Sequence, residues 1–324
     1  MSKSLQSRGG PYSSKTAGMG GLPTTLPDVP VCAIFMVLYI SFAATNMTIF
    51  QINRRKGHKF ILSAMMFGFC MSRIITLVLR IVWSQKPTKV RIAIAAQIFV
   101  NAGVLILYII NLVLAQRILR AKQPQVGWHP ILRKAFKVIY ALIGAALVMV
   151  ITAVVVSEYT LDTHVQQQCR DVQLAALTYM LVFNCLPALH IAAAILLPKS
   201  QDEEVFGQGS SRSQVLIVTM SACFCMMIAG FKTGVTWSPV RLATNPGWFD
   251  SKACFYIFNF TFEIITLGIL TFSRIDKRFW IPNGSTKPGN YAQIGTHASA
   301  AADTDSHDGF LLSNVAHEKT TQEA

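Results

Sequence analysis

The chain has 324 residues, of which 52% are hydrophobic and only 14% are charged. Soluble proteins carry about 25% charged residues, so this composition argues against a water-soluble globular domain. The formal net charge of +14 would suggest a nucleic-acid partner in a soluble protein. Here the basic stretches lie in loops or tails beside apolar segments, which predicts membrane lipid as the neighbour and no nucleic acid.

Seven apolar stretches follow one another along the chain. Each has about 20 residues or more, the length that an α-helix needs to cross roughly 30 Å of hydrocarbon. Because they are apolar all round, lipid is their expected surrounding. The sequence therefore predicts an all-α, multi-pass bundle of seven transmembrane helices, at residues 30–50, 60–83, 92–115, 138–157, 174–197, 215–235 and 253–273.

Two tails flank the predicted membrane domain, residues 30–273. Residues 1–29 are rich in Ser, Gly, Pro and Thr and lack the apolar core of a signal peptide, which predicts a disordered extracytoplasmic tail. Residues 274–324 begin basic and aromatic and then become polar. We expect them to form a cytosolic tail that is mostly disordered.

The loop charges predict the orientation. Most loop lysines and arginines follow the first, third, fifth and seventh predicted helices, among them Arg54, Arg55, Arg133 and Lys134. Cytoplasmic loops of membrane proteins carry the excess of Lys and Arg. The N-terminus is therefore predicted outside and the C-terminus in the cytosol, with the basic inner loops as the expected surface for a signalling partner.

Two opposite charges lie at the same predicted depth, Arg73 in the second helix and Glu263 in the last. An ionisable group at the bilayer midplane is costly unless it is paired or wet. By depth the two side chains could meet. Such a pair would be either a strut between two helices, which we favour, or a gate, a proton-linked switch or a ligand contact.

Three further polar residues complete the candidate intramembrane site. Gln97 and Asn101 share a face of the third helix, where polar groups either bond to other helices or line a wet pocket. His190 in the fifth helix is interpreted as a hydrogen-bonded structural residue, with a pH sensor as the alternative. Arg80 and Lys232 are placed near the outer ends of their helices and are expected to extend to the headgroups.

Cys169 is assigned to the outer loop between helices four and five, and Cys254 to the outer start of helix seven. That side of a membrane is oxidising, so a disulfide between them is one expectation and free thiols are the other. No metal-ligand cluster is recognised in the sequence, and no cofactor is predicted. Catalytic signatures for nucleotide, zinc or serine chemistry are missing as well, which favours a protein that is not an enzyme.

Four stretches carry a resemblance, namely residues 95–105 (AAQIFVNAGVL), 116–121 (QRILRA), 255–263 (FYIFNFTFE) and 276–284 (DKRFWIPNG). They resemble a family of seven-helix proteins of unknown function from filamentous fungi, often labelled family-C-like G-protein-coupled receptors. The resemblance covers the membrane domain and implies a receptor, without a known ligand or binding residue.

The chain departs from receptor patterns in three ways. A family C receptor usually has a large outer ligand-binding domain, which 29 residues cannot form. Ala115-Gln116-Arg117 stands where rhodopsin-like receptors have an acidic–Arg–aromatic triplet, and the Asn-Pro-x-x-Tyr pattern is missing from the last helix. The layout is also similar, more distantly, to fungal lipid-translocating exporters. We therefore expect a receptor-like sensor of a small molecule or lipid, with a small-solute or lipid exporter as the alternative. The expected location is the plasma membrane, with an internal membrane as the alternative.

Overall fold

The computed structural model describes residues 10–12 and 16–291, which form seven helices long and apolar enough to cross a membrane. This confirms the predicted all-α seven-helix membrane fold. Within those residues no strand occurs, apart from an isolated antiparallel bridge between Thr16 and Leu242. The seven helices are α1 (Thr25–Arg55), α2 (Ile61–Gln85), α3 (Val90–Lys122), α4 (Pro130–Tyr159), α5 (Thr163–Leu196), α6 (Ser211–Trp237) and α7 (Lys252–Phe272).

Most helices extend beyond the predicted apolar stretches. An apolar stretch marks only the part of a helix that matches the hydrocarbon, whereas the polar turns at its ends stay helical when their free N–H groups are capped. In α5 the Asp162 carboxylate accepts a hydrogen bond from the His164 N–H at 2.9 Å, so the helix starts at Thr163. The predicted outer loop around Cys169 is therefore helix.

Helix α3 is the centre of the bundle. It packs against α2, α4, α5 and α6, while α1 packs against α2 and α7. Helix α4 is peripheral, and it exposes apolar side chains such as Val138, Val148 and Met149. In a spanning helix such a face is suited to lipid. The buried polar side chains of the bundle are therefore expected around α3.

Helix α7 is interrupted by one wide turn. Residues Lys252–Tyr256 are α-helical, Ile257–Thr261 form a π-helical turn, and Phe262–Phe272 resume the α-helix. A π turn inserts an extra residue and rotates the rest of the helix about its axis, and such turns are frequent at functional sites. Glu263 lies directly after this turn.

We call the end of the bundle where α1 begins the N-terminal face. The segment before α1 lies across it: the Ala17 N–H donates to the Arg241 carbonyl and the Gly20 N–H to the Asp250 carbonyl, both at 2.9 Å. The expected disorder of residues 1–29 thus does not hold for residues 16–24. Residues 1–9 and 13–15, to which it also applied, lie outside the described residues.

The opposite end, the C-terminal face, is covered by the segment after α7. The Arg117 guanidinium donates to the Phe279 carbonyl at 2.5 Å, and the Glu204 carboxylate accepts the N–H groups of Gly289 and Tyr291, each at 2.8 Å. Tyr291 is fully buried. Residues 281–291, predicted as disordered tail, are therefore packed. The same prediction for residues 292–324 lies outside the described part of the chain.

A second polar contact fixes the start of that segment. Asp276, in the short helix Ile275–Arg278, accepts hydrogen bonds from Arg274 and Asn53. Burial alone would raise the pKa of Asp276, but these hydrogen bonds and the Arg274 charge hold that pKa below its ordinary value. The carboxylate therefore stays ionised and joins α1 to the segment after α7.

Candidate functional site

Arg73 and Glu263 form a two-pronged ion pair in the middle of the bundle. Arg73 Nε donates to Glu263 Oε2, and Arg73 Nη2 donates to Glu263 Oε1, both at 2.5 Å. Both side chains are completely buried. The structure thus joins the two charges that matching depth predicted to meet, and it ties α2 to α7.

The remaining guanidinium N–H groups bond to the backbone of α3. Arg73 Nη1 donates to the carbonyls of Phe99 and Val100 at 3.0 and 3.1 Å, and Nη2 donates to the Val100 carbonyl at 3.2 Å. Gly103 leaves the space for this approach, since a Cβ there would lie 3.2 Å from Arg73 Nη1. A single arginine therefore connects α2, α3 and α7.

Aromatic side chains enclose the pair. The Tyr39 hydroxyl donates to Glu263 Oε2 at 3.4 Å, and the Arg73 guanidinium lies 5.3 and 5.9 Å from the ring centres of Phe69 and Phe260. All three rings are fully buried, as is the carboxylate that they surround. Removing one partner of such a buried ion pair is strongly destabilising, because the other charge is then left unpaired. The pair therefore supports the packing of these helices.

A second cation, Lys232 of α6, reaches the same backbone carbonyl. Lys232 is 5% exposed, and its Nζ donates to the Val100 carbonyl at 3.3 Å. The expectation that Lys232 extends to the headgroups is therefore wrong. Its side chain turns inward because Val100 of the central helix offers an acceptor there. One carbonyl of α3 thus serves both Arg73 and Lys232.

Lys232 lines a cavity of about 30 Å³ between α3, α4, α5 and α6. Its polar lining consists of Asn101, Tyr108, Lys232 and Thr233, and apolar side chains of α3, α4, α5 and α6 form the rest. A cavity needs about 10–15 Å³ per water molecule, so this one has room for two or three. Lys232 was not predicted as a site residue, because its position near the outer end of the sixth helix suggested contact with the lipid headgroups.

Nearer the C-terminal face than the cavity, buried polar groups of α3, α5 and α6 contact one another, and we call them the polar seam. The Asn184 amide donates to the Cys225 carbonyl at 3.2 Å, and the Asn111 amide lies 3.2 Å from the Cys225 sulfur. Within the described residues, Tyr108 Oη and Asn184 Oδ1 make no hydrogen bond of normal length and angle. The seam therefore retains hydrogen-bonding capacity beside the cavity.

The five predicted site residues do not form one cluster. Arg73 and Glu263 pair, and Asn101 lines the cavity. Gln97 is exposed, although it lies one turn before Asn101 on the same face of α3. His190 is buried against α4, where Nδ1 lies 2.5 Å from the Leu186 carbonyl and its ring packs on Phe136. This contact fits the interpretation of His190 as a hydrogen-bonded structural residue.

A second buried charge cluster lies under the N-terminal face. Asp28 accepts from Arg80 Nη2 at 2.9 Å, from Lys252 Nζ at 2.5 Å and from the Tyr256 hydroxyl at 2.6 Å. Arg80 also donates to the Gly20 carbonyl at 3.0 Å. Arg80 therefore does not extend to the headgroups. The cluster could not be predicted from the sequence because Asp28 falls within the predicted tail, residues 1–29.

The expected disulfide between Cys169 and Cys254 is not formed, and both thiols are free. Cys169 is buried within α5, whereas the Cys254 sulfur lies 3.7 Å from the Trp248 carbonyl. The physical reason is that Cys169 is fixed and buried in a helix and does not lie in the predicted outer loop. Among the described residues, no group of three side chains could hold a metal ion.

The chain is similar to one family, described as protein of unknown function (DUF3112), which matches residues 124–209 and 209–280. The matched region runs from the residues before α4 to the segment after α7, so it includes Lys232 and Glu263 but not Arg73 or Asn101. No curated protein and no solved structure matches the chain. These findings fit a membrane protein of unknown function and give no relationship to receptors or exporters.

Proposed function

We propose that this protein is a non-catalytic, receptor-like sensor that binds a small molecule or lipid inside its helix bundle. The observation that supports it is the Val100 carbonyl, which accepts hydrogen bonds from both Arg73 and Lys232. Lys232 lines the cavity, and Arg73 holds α7 through Glu263. The cavity and the central ion pair are thus connected through a single backbone carbonyl.

This arrangement provides a route from ligand to helix packing. A ligand that draws the Lys232 ammonium into the cavity leaves the Val100 carbonyl to Arg73 alone. The hydrogen bonds between α2 and α3 then change in the layer where α7 is held. A ligand shifts such an equilibrium only by its difference in affinity for the two packings, so the contact with Lys232 is the one that has to differ between them.

The proposed site for a signalling partner is formed by exposed cations at the C-terminal face. Loop cations are in excess on this side of the bundle, which favours a cytosolic position for it. Arg54, Arg55, Arg133 and Lys134 are exposed there. Arg117 is occupied by the Phe279 carbonyl instead. We propose that the four exposed cations, Arg54, Arg55, Arg133 and Lys134, form the surface for a cytosolic signalling partner. The resemblance to filamentous-fungal proteins supports a fungal plasma membrane as the location.

The alternative is a small-solute or lipid exporter that uses the same cavity. A deletion strain complemented with wild type, Glu263→Gln or the exposed control Asp171→Asn separates the two functions. The stimuli are octanoate, octan-1-ol and octylamine, which have one chain length and three different charges. The readouts are cytosolic calcium, cAMP and efflux of a fluorescent phospholipid.

A sensor predicts that at least one stimulus changes calcium or cAMP in the wild type and Asp171→Asn strains. The response is lost in the deletion and in Glu263→Gln, and phospholipid efflux is equal in all strains. If efflux falls in the deletion strain while the calcium and cAMP responses stay intact, the sensor function is wrong and the exporter is favoured.

A further inference from the structure

The buried charges at the centre of the bundle do not balance. Arg73 and Lys232 are cations, and Glu263 is the anion beside them. Both carboxylate oxygens of Glu263 are bonded to Arg73. Lys232 has one backbone carbonyl as its hydrogen-bond acceptor, at 3.3 Å. Keeping the Lys232 amine charged with so little compensation is costly, and an anion next to it lowers that cost.

The cavity supplies the place for that anion. Besides Lys232 it is lined by Asn101 and by Tyr108, which is 2% exposed and whose hydroxyl interacts with Asn184 without a hydrogen bond of normal geometry. Thr233 uses its hydroxyl to donate to the Leu177 carbonyl at 3.2 Å. Three side chains with N–H or O–H groups to donate therefore surround the same small space.

Size and lining narrow the class of anion. Room for two or three water molecules matches the size of a carboxylate group with its two oxygens. The other lining residues are apolar, among them Leu105, Leu147, Val150 and Met180. Leu147 and Val150 belong to the peripheral helix α4 and are half-buried. The surroundings of the polar end are thus suited to a hydrocarbon chain.

We infer that the cavity binds a lipophilic carboxylate, whose head accepts hydrogen bonds from Lys232, Asn101 and Tyr108 and whose chain packs between α3, α4 and α5. The inference names the ligand of the site used in the proposed function and rests on it only for a physiological role. Binding itself is independent of whether the protein is a sensor or an exporter.

The test is thermal unfolding of the purified protein in nanodiscs of zwitterionic lipid, with octanoate or octan-1-ol as the probe. Octanoate raises the Tm of the wild type by a few degrees, and octan-1-ol, which lacks the charge, leaves it unchanged. Lys232→Met abolishes the octanoate shift. The matched control Lys86→Met removes an exposed lysine near the N-terminal face and retains the full shift.

The ligand-free Lys232→Met protein provides a second readout, because it no longer buries an amine that lacks a counter-charge of its own. Its Tm is higher than that of ligand-free wild type. A lower Tm would show that Lys232 is already compensated and would overturn the inference. Equal shifts with octanoate and octan-1-ol, or an octanoate shift that persists in Lys232→Met, would overturn it as well.

The inference and the proposed function fail separately. Octanoate that binds through Lys232 but changes neither calcium nor cAMP supports the carboxylate site and contradicts the sensor. Signalling that responds to octan-1-ol or octylamine and not to octanoate supports the sensor and overturns the carboxylate site.

Discussion

Arg73 and Glu263 are 190 positions apart in the chain and form a two-pronged ion pair in which both side chains are fully buried. Arg73 also donates to the Phe99 and Val100 carbonyls, so it connects three helices at one depth. Because the pair is fully bonded and enclosed, its removal is expected to affect stability before any other property.

The first prediction concerns this pair. Arg73→Gln and Glu263→Gln each lower the free energy of unfolding by about 3–5 kcal/mol, because each leaves an unpaired charge in the bundle. The double variant loses less than the sum of the two single losses, since residues in contact are not additive. The measurement is a double-mutant cycle by denaturant or thermal unfolding.

A matched control is the exposed pair of Lys199 and Glu203, whose N–O distance is 3.5 Å and whose lysine is 84% exposed. The same Gln substitutions there give a coupling of about 0.5 kcal/mol or less, since exposed pairs contribute little. If the Arg73–Glu263 cycle were as small as this one, the buried pair would not support the packing of α2 against α7.

The seven helices and the meeting of Arg73 with Glu263 could be predicted because they depend on properties local to the sequence. Apolar length marks a spanning helix, and position within the helix gives the depth of a charge. Nothing more than depth was needed to match these two residues. Asn101 was predicted to face the bundle from the polar face of the third helix, and it lines the cavity.

Lys232 and Asp28 could not be predicted in this way because their partners are set by tertiary packing. Lys232 donates a hydrogen bond to a carbonyl of α3. Asp28 forms ion pairs with Arg80 of α2 and Lys252 of α7. Gln97 shows the opposite error. It shares a sequence periodicity with Asn101, but the packing of α3 leaves Gln97 exposed.

The second prediction tests the close approach at Gly103. An added Cβ would lie 2.5 Å from the Ser72 hydroxyl oxygen and 3.2 Å from Arg73 Nη1. Gly103→Ala therefore costs about 1–3 kcal/mol through overpacking. Gly144→Ala is the control, because nothing lies within 4 Å of its added Cβ and Ala favours the helix by about 0.4–1 kcal/mol. Thermal unfolding in detergent checks both signs, and a stable Gly103→Ala protein would contradict the need for glycine there.

The third prediction concerns Asp28, which is 1% exposed and holds Arg80, Lys252 and Tyr256. Asp28→Asn leaves Arg80 buried without its counter-charge and costs about 3–5 kcal/mol. Arg80, which donates to the Gly20 carbonyl, is then no longer held in place by Asp28. The amides of residues 16–24 therefore exchange hydrogen faster. Hydrogen-exchange mass spectrometry measures this.

The control for Asp28 is Asp171→Asn, an exposed carboxylate of α5. Its effect on stability stays within about 0.5 kcal/mol, as for most surface changes. Unchanged exchange at residues 16–24 in Asp28→Asn would mean that the segment is held without the Asp28 cluster, through contacts such as those with Arg241 and Asp250.

The fourth prediction concerns Tyr291, which is fully buried and packs its ring on Trp128 and Phe206 at centre-to-centre distances of 5.6 Å. Tyr291→Ala removes this anchor from the segment that covers the C-terminal face. Amides of residues 282–291 then exchange at least roughly tenfold faster, which corresponds to about 1.4 kcal/mol of local opening. The seven helices keep their exchange rates, because the contact lies outside the bundle. Phe272→Ala, at a side chain that is 77% exposed, leaves residues 282–291 unchanged. Equal exchange of that segment in wild type and Tyr291→Ala would show that the hydrogen bonds to Glu204 and Gly57 hold the segment without the tyrosine ring.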